Sequence, residues 1–185
     1  MHRGLFLDRD GVIIENRDGY VLSWEDVEIF PQALEALAML SSAPFKIVIV
    51  TNQAAVGKGL LTLHEAQEIN RRLIHIIRAA GGAVDGVYLC PHTAEDHCSC
   101  RKPQPGLILQ AARELEIDLS RSALIGDALT DLQAGQAAGI PQLALVRTGR
   151  GAAQEPLARA KGFQNTPVFD HLKAAVTSWL FAFYD

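Results

Sequence analysis

"GLFLDRDGV", residues 4–12, runs an apolar stretch straight into two aspartates two positions apart. Gly4–Leu7 has the length of a short buried strand. In an extended segment alternate side chains share a face, so Asp8 and Asp10 point roughly the same way. The same grammar recurs downstream. Lys46–Val50 runs into Thr51-Asn52-Gln53, and Gly86–Leu89 into Cys90-Pro91-His92. Ala123–Ile125 runs into Gly126-Asp127, and Gln142–Val146 into Arg147-Thr148-Gly149-Arg150. Helical patterns fill the intervals at Pro31–Ser41, Leu63–Ala80, Leu107–Glu116 and Asp131–Ala138, and an amphipathic run, Phe169–Phe183, closes the sequence. The second of these opens on a capping box, Thr62 with Glu65, and stops at Gly81-Gly82.

Strand–helix alternation at this spacing predicts an α/β fold: a Rossmann-like parallel sheet with helices on both faces. Ligands of such sheets bind beyond the carboxyl ends of the strands. All five polar clusters then fall at one edge, which points to a single active site. No repeat, low-complexity tract or linker divides the sequence, so residues 1–185 read as one domain with no separate cap.

The 185 residues are 49% hydrophobic and 21% charged, with a formal net charge of −4. A chain of this size buries about 70% of its unfolded surface, and the acidic balance offers no basic stripe for nucleic acid. The amino-terminal stretch meets charge within eight residues, and no run reaches the ~18 apolar residues of a membrane span. A cytoplasmic monomer with no membrane or nucleic-acid partner is expected. An anionic ligand must then be held by local cations or a metal ion.

Each cluster has its chemistry. Asp8 and Asp10 suit phosphoryl transfer, one carboxylate attacking phosphorus while the other protonates the leaving oxygen and later activates water. Mg2+, which favours a couple of carboxylates with phosphate oxygen and water, would relieve their repulsion with a phosphate dianion. Asp127 supplies a further acid behind a buried strand, whereas Asp131 by itself reads as a helix cap. Thr51, Asn52 and Gln53 offer a hydroxyl, amides and main-chain N–H groups to phosphate oxygens. Lys102 brings a fixed positive charge on a loop stiffened by Pro103 and Pro105. Cys90, His92, Cys98 and Cys100 form C-x-H-x5-C-x-C and include all three cysteines of the chain. This is the donor set of a closed structural zinc site, with His97 the competing fourth ligand. Zinc there would stabilise a polar loop and aim Arg101 and Lys102 at the aspartates.

With these residues assembled, the sequence resembles phosphatases of the haloacid dehalogenase superfamily. The four motifs stand in order: DRDGV (8–12), TNQ (51–53), RKP (101–103) and GDALTD (126–131). The cysteine loop before RKP narrows the resemblance to the group that holds the heptose-bisphosphate and histidinol phosphatases. "DGYVLSWEDVEIFP" (18–31) and "TNQAAVGKG" (51–59) are similar to the heptose branch. Ala128 and Ala54 depart from the family pattern, which often has a basic residue and a serine at these places. The resemblance implies Asp8 as nucleophile and Asp10 as general acid and base. It implies Mg2+ held by Asp8, the Asp10 carbonyl and Asp127, and a transferred phosphoryl group bound by Thr51, Asn52 and Lys102. Arg101 would aid substrate recognition beside the flap around Tyr20, and Lys58 and Arg150 would meet a distal phosphate. The expected substrate is a small phosphorylated metabolite, a sugar bisphosphate losing its 7-phosphate, with histidinol phosphate as the alternative. A receiver-like phospho-acceptor domain is the remote alternative from another class.

Overall fold

The computed structural model describes residues 1–180. Six strands form one sheet: β1 (Arg3–Leu7), β2 (Phe45–Asn52), β3 (Gly86–Cys90), β4 (Ala123–Gly126), β5 (Gln142–Val146) and β6 (Val168–Phe169). Their spatial order is β3-β2-β1-β4-β5-β6, and every neighbouring pair is parallel. The central strand explains the pattern, because Leu5, Phe6 and Leu7 are all fully buried. A strand covered on both faces needs a continuous apolar run rather than an alternating one.

The helices supply that cover. Leu5 and Leu7 pack with Ile47 and Ile49 against α1 (Pro31–Met39), α3 (Leu63–Ala79) and α7 (Leu172–Ala175). On the other face Phe6, Val48 and Val50 meet α4 (Gly106–Glu114) and Ala134 of α5 (Leu129–Ala137). Leu132 of α5 also packs with Leu145 and with Ala158 of α6 (Gly151–Ala160). A single short turn, α2 (Ala54–Gly57), follows β2. Thr62 caps α3 as expected, its side chain accepting from the Glu65 N–H at 3.2 Å while Glu65 returns a bond to the Thr62 N–H at 2.8 Å.

Four features differ from the sequence reading. β2 runs through Thr51 and Asn52, so these two residues end the strand rather than follow it. α5 begins two residues before Asp131, placing that aspartate inside the first turn. α6 and β6 were not anticipated. Pro156 lies inside α6, where proline ordinarily argues against a helix, and a two-residue strand shows no period. The closing run divides into β6, α7 and a π-helical turn over Val176–Leu180, and its last three residues lie outside the described ones.

Between β1 and α1 the chain folds back as a flap over residues 12–30. Glu15 and Phe30 donate main-chain hydrogen bonds to Glu28 and Ile13, at 2.8 and 3.0 Å. Its own Val12, Ile13, Ile14 and Val21 are buried. The Arg72 guanidinium of α3 lies 4.4 Å from the centre of the Trp24 ring, tying the flap to that helix. Among the described residues, no helix is long and apolar enough to cross a membrane.

Candidate active site

The registers Leu7↔Ile49, Leu7↔Ile125 and Asn52↔Cys90 align the carboxyl ends of the central strands. Asp8, Thr51, Cys90 and Asp127 therefore emerge at one edge. A cleft of about 570 Å³ opens there, walled by Asp8 and Asp10, by Asn16 and Tyr20 of the flap, and by Arg101 and Arg150.

Lys102 organises the floor. Its Nζ lies 2.9 Å from Asp8 Oδ1 and 2.6 Å from Asp131 Oδ1, and donates to the Val50 carbonyl at 2.8 Å. The lysine is only 4% exposed. A buried ammonium is costly unless each of its donors is met, and here three acceptors converge on it. Burial alone would pull its pKa down, but the carboxylates of Asp131 and Asp8 outweigh that and push it up. Asn52 fixes the loop that delivers the lysine. Its amide donates to the Lys102 carbonyl and accepts from the Lys102 N–H, both at 3.0 Å. Thus Asn52, expected to touch phosphate, has its side chain engaged in holding Lys102.

Asp8 and Asp10 both line the cleft but sit in different surroundings. Burial pushes the Asp8 carboxyl up to about 8, Lys102 opposing and the charges of Asp131, Asp127 and Asp10 reinforcing. Burial would also raise Asp10, yet the Arg9 guanidinium and the Gln53 amide hold it below the usual carboxylate range. Arg9 Nε and Nη2 grip the two Asp10 oxygens at 3.0 Å each, and Gln53 Nε2 donates to Oδ2 at 3.0 Å. Thr51 Oγ1 donates to the same oxygen at 3.3 Å. The backbone turns just after Arg9 and Asp10 at Gly11, whose φ is +87°. A Cβ on Gly11 would also stand 2.1 Å from Asp127 Oδ2, so glycine is required twice over.

Asp127 is fully buried. Its Oδ2 accepts from the Arg150 N–H at 2.8 Å and from Asn16 Nδ2 at 3.1 Å. Among the described residues, its Oδ1 is buried with no hydrogen-bond partner. Burial and the Asp131 charge raise this carboxyl to about 6. An orphaned carboxylate oxygen is expensive unless a cation or donor meets it. Asp8, Asp127 and Asp131 each offer an oxygen within 4.8 Å of the others, close to the ~4 Å across an octahedral Mg2+ site. The residues therefore fit a hard divalent cation. The Asp10 carboxylate is gripped by Arg9 outside this group, while Asp131 stands within it with one oxygen on Lys102 and the other, as a cap, on the Ala128 N–H.

The thiol cluster is equally compact. Cys90 Sγ lies 3.6 Å from Cys98 Sγ and 3.0 Å from Cys100 Sγ, and the last two are 3.4 Å apart. His92 Nδ1 stands 3.6 Å from Cys90 and 3.3 Å from Cys100. Tetrahedral zinc with thiolates at 2.3 Å separates its sulfurs by about 3.8 Å. His92 joins the three thiols in this group and His97 does not. Arg101 donates to the His92 carbonyl at 3.1 Å, linking the cluster to the cleft wall. Lys58 reaches the cleft only through Tyr20, its Nζ lying 5.3 Å from the ring centre.

Sequence reasoning missed Arg9 and Asn16. The signal for Arg9 was an arginine between two acids, preceded by Leu-Phe-Leu and followed, after Asp10-Gly11, by Val-Ile-Ile, a setting too apolar for a solvated charge. Asn16 gave no signal that sets it apart from the polar flap around it.

The site thus joins a buried acid salt-bridged to a buried lysine with a carboxylate oxygen that needs a cation. A family model described as "HAD-hyrolase-like" matches residues 99–175. The chain belongs to the haloacid dehalogenase-like phosphatases. It is 36% identical over 168 residues to the D-glycero-beta-D-manno-heptose-1,7-bisphosphate 7-phosphatase of Neisseria meningitidis serogroup A, covering 91% of this chain and 89% of the relative. The enzyme of that name from Bordetella bronchiseptica is 35% identical over 176 residues, covering 95% of this chain and 97% of the relative. The crystal structure of D,D-heptose 1.7-bisphosphate phosphatase from B. bronchiseptica, complexed with magnesium and phosphate, superposes with a TM-score of 0.88. It is 34% identical, and the match spans 97% of this chain and 99% of that one.

Proposed function

We propose that this chain hydrolyses the 7-phosphate of D-glycero-D-manno-heptose 1,7-bisphosphate through an aspartyl-phosphate on Asp8. The observation that supports it best is the buried Asp8–Lys102 pair beside the orphaned Asp127 oxygen, in a chain that matches heptose-bisphosphate phosphatases almost end to end.

Asp8 attacks phosphorus, forming an O–P bond as the bond from phosphorus to the sugar oxygen breaks. Asp10 gives that oxygen its proton. Although Arg9 favours the charged form of Asp10, an arriving phosphate dianion opposes that field and favours protonation. In the second half Asp10 takes a proton from the water that attacks the aspartyl-phosphate, releasing inorganic phosphate and restoring Asp8. Asp8, Asp127 and the Asp10 main-chain carbonyl would hold Mg2+, which supplies positive charge between the nucleophile and the phosphate. Thr51, Gln53 and Lys102 contact the transferred group, and Asn52 keeps Lys102 in place. Arg101 and Arg150 are the cations suited to a distal phosphate. Cys90, His92, Cys98 and Cys100 bind a structural zinc ion that rigidifies the loop bearing Arg101 and Lys102.

The test is a kinetic panel of both anomers of the heptose bisphosphate, histidinol phosphate and simple sugar monophosphates. Holding the distal phosphate with a charged group is worth about 1.5–3 kcal/mol, roughly one to two orders of magnitude in kcat/KM. Preference for histidinol phosphate, or no discrimination, would defeat the substrate assignment.

A further inference from the structure

Asn70 occupies an odd place. α3 turns five residues inward, Ala66, Ile69, Asn70, Leu73 and Ile77, and Asn70 is the one polar side chain among them. Asparagine is a poor helix former, and a buried amide is unfavourable unless it is hydrogen-bonded. Its Oδ1 accepts from Arg9 Nη1 at 2.9 Å, across 61 residues of sequence. Arg9 is 1% exposed, and among the described residues its guanidinium also makes the two bonds to the Asp10 carboxylate. The guanidinium is planar, so fixing Nη1 fixes the plane in which Nε and Nη2 meet Asp10. Asn70 does not line the cleft; the Arg9 guanidinium stands between it and Asp10.

We infer that Asn70 is a positioning residue, setting the orientation of the acid/base Asp10 through Arg9. The inference rests on the proposed role of Asp10. The buried Asn70 and Arg9 and the partly exposed Asp10 form a chain, and its last member faces the cleft. Without the Asn70 oxygen a buried N–H of Arg9 loses its acceptor, and the guanidinium can satisfy it only by turning. Asp10 then loses the fixed partner that aims it at the leaving oxygen. The Thr51 and Gln53 contacts both fall on Oδ2, so they do not fix the second oxygen.

The experiment compares Asn70→Leu, Asn70→Asp and Asp10→Asn with the parent protein, all loaded with Mg2+. kcat and KM are measured for an alkyl phosphate and for p-nitrophenyl phosphate, whose leaving group needs little protonation. Asn70→Leu should lower kcat on the alkyl phosphate by about ten- to a hundredfold with KM little changed, and affect the aryl phosphate much less. Asn70→Asp keeps an acceptor at the same reach and should recover most of the loss. Where leucine is not accommodated, Asn70→Ala is read in the same way. Equal losses on both substrates, or no loss, in an Asn70 variant while Asp10→Asn discriminates between them overturns the positioning role alone. If Asp10→Asn itself fails to discriminate, the acid/base reading of Asp10 falls and this inference with it.

Discussion

Lys102 and Asp8 form an ion pair of 2.9 Å in which both side chains are almost completely buried, 3% and 7% exposed. The pair ties the loop after the cysteine cluster to the end of the central strand. Lys102 also neutralises Asp131 at 2.6 Å, so one cation serves two buried acids. Removing it with Lys102→Met leaves both carboxylates without their ammonium. Breaking a buried pair from one side costs about 3–5 kcal/mol. Turnover is expected to fall to background and the melting temperature of metal-free protein to drop by several degrees. A variant that kept both stability and activity would remove Lys102 from the centre of the site.

Mg2+ should stabilise the fold more at pH 8 than at pH 5. In the metal-free protein Asp8 is raised to about 8 and Asp127 to about 6. Both therefore bind protons in the fold that the unfolded chain has already released above about pH 4. The stability they contribute is intact below that pH, declines as pH rises, and is lost above about 8. Protons and the metal ion compete for the same oxygens, so binding at low pH must displace protons and is weakened. Calorimetric or fluorescence melts with and without Mg2+ at the two pH values check the sign. A larger Mg2+ effect at pH 5 would contradict the ligand assignment.

Zinc removal should act at a distance. Cys98→Ser replaces a thiolate with a weak ligand, so elemental analysis should show zinc well below one equivalent per chain. Because Arg101 is bonded to the His92 carbonyl, the cleft wall should loosen and KM for the bisphosphate should rise more than kcat falls. Protein purified without chelator and carrying no zinc would exclude this reading.

Much of this arrangement was legible in the sequence. Short apolar runs ending in polar clusters located β1 to β5 because a doubly covered parallel strand leaves no room for alternation. The parallel connection then obliged Asp8, Thr51, Cys90 and Asp127 to share an edge. What escaped were features decided by tertiary packing. Arg9 drew no reading at all, yet it is buried and its guanidinium grips both Asp10 oxygens. Asp131 does cap, its Oδ2 accepting from the Ala128 N–H at 3.0 Å, but its other oxygen is buried against Lys102, which no local pattern announces. The Asn52 amide also matches the main chain of Lys102, a pairing across 50 residues that no local pattern reveals. β6 and α6 were hidden by brevity and by an internal proline.

The central claim is that Asp8 carries the phosphoryl group during turnover. Mg2+-loaded protein mixed with heptose 1,7-bisphosphate radiolabelled at the 7-phosphate, quenched in acid within the first turnover, and digested for peptide mapping tests it directly. The account predicts label on the peptide containing Asp8, discharged by hydroxylamine as an acyl phosphate is, and absent in Asp8→Asn. Full turnover with no acid-stable label at any quench time and an active Asp8→Asn variant, or label on another residue, would contradict it.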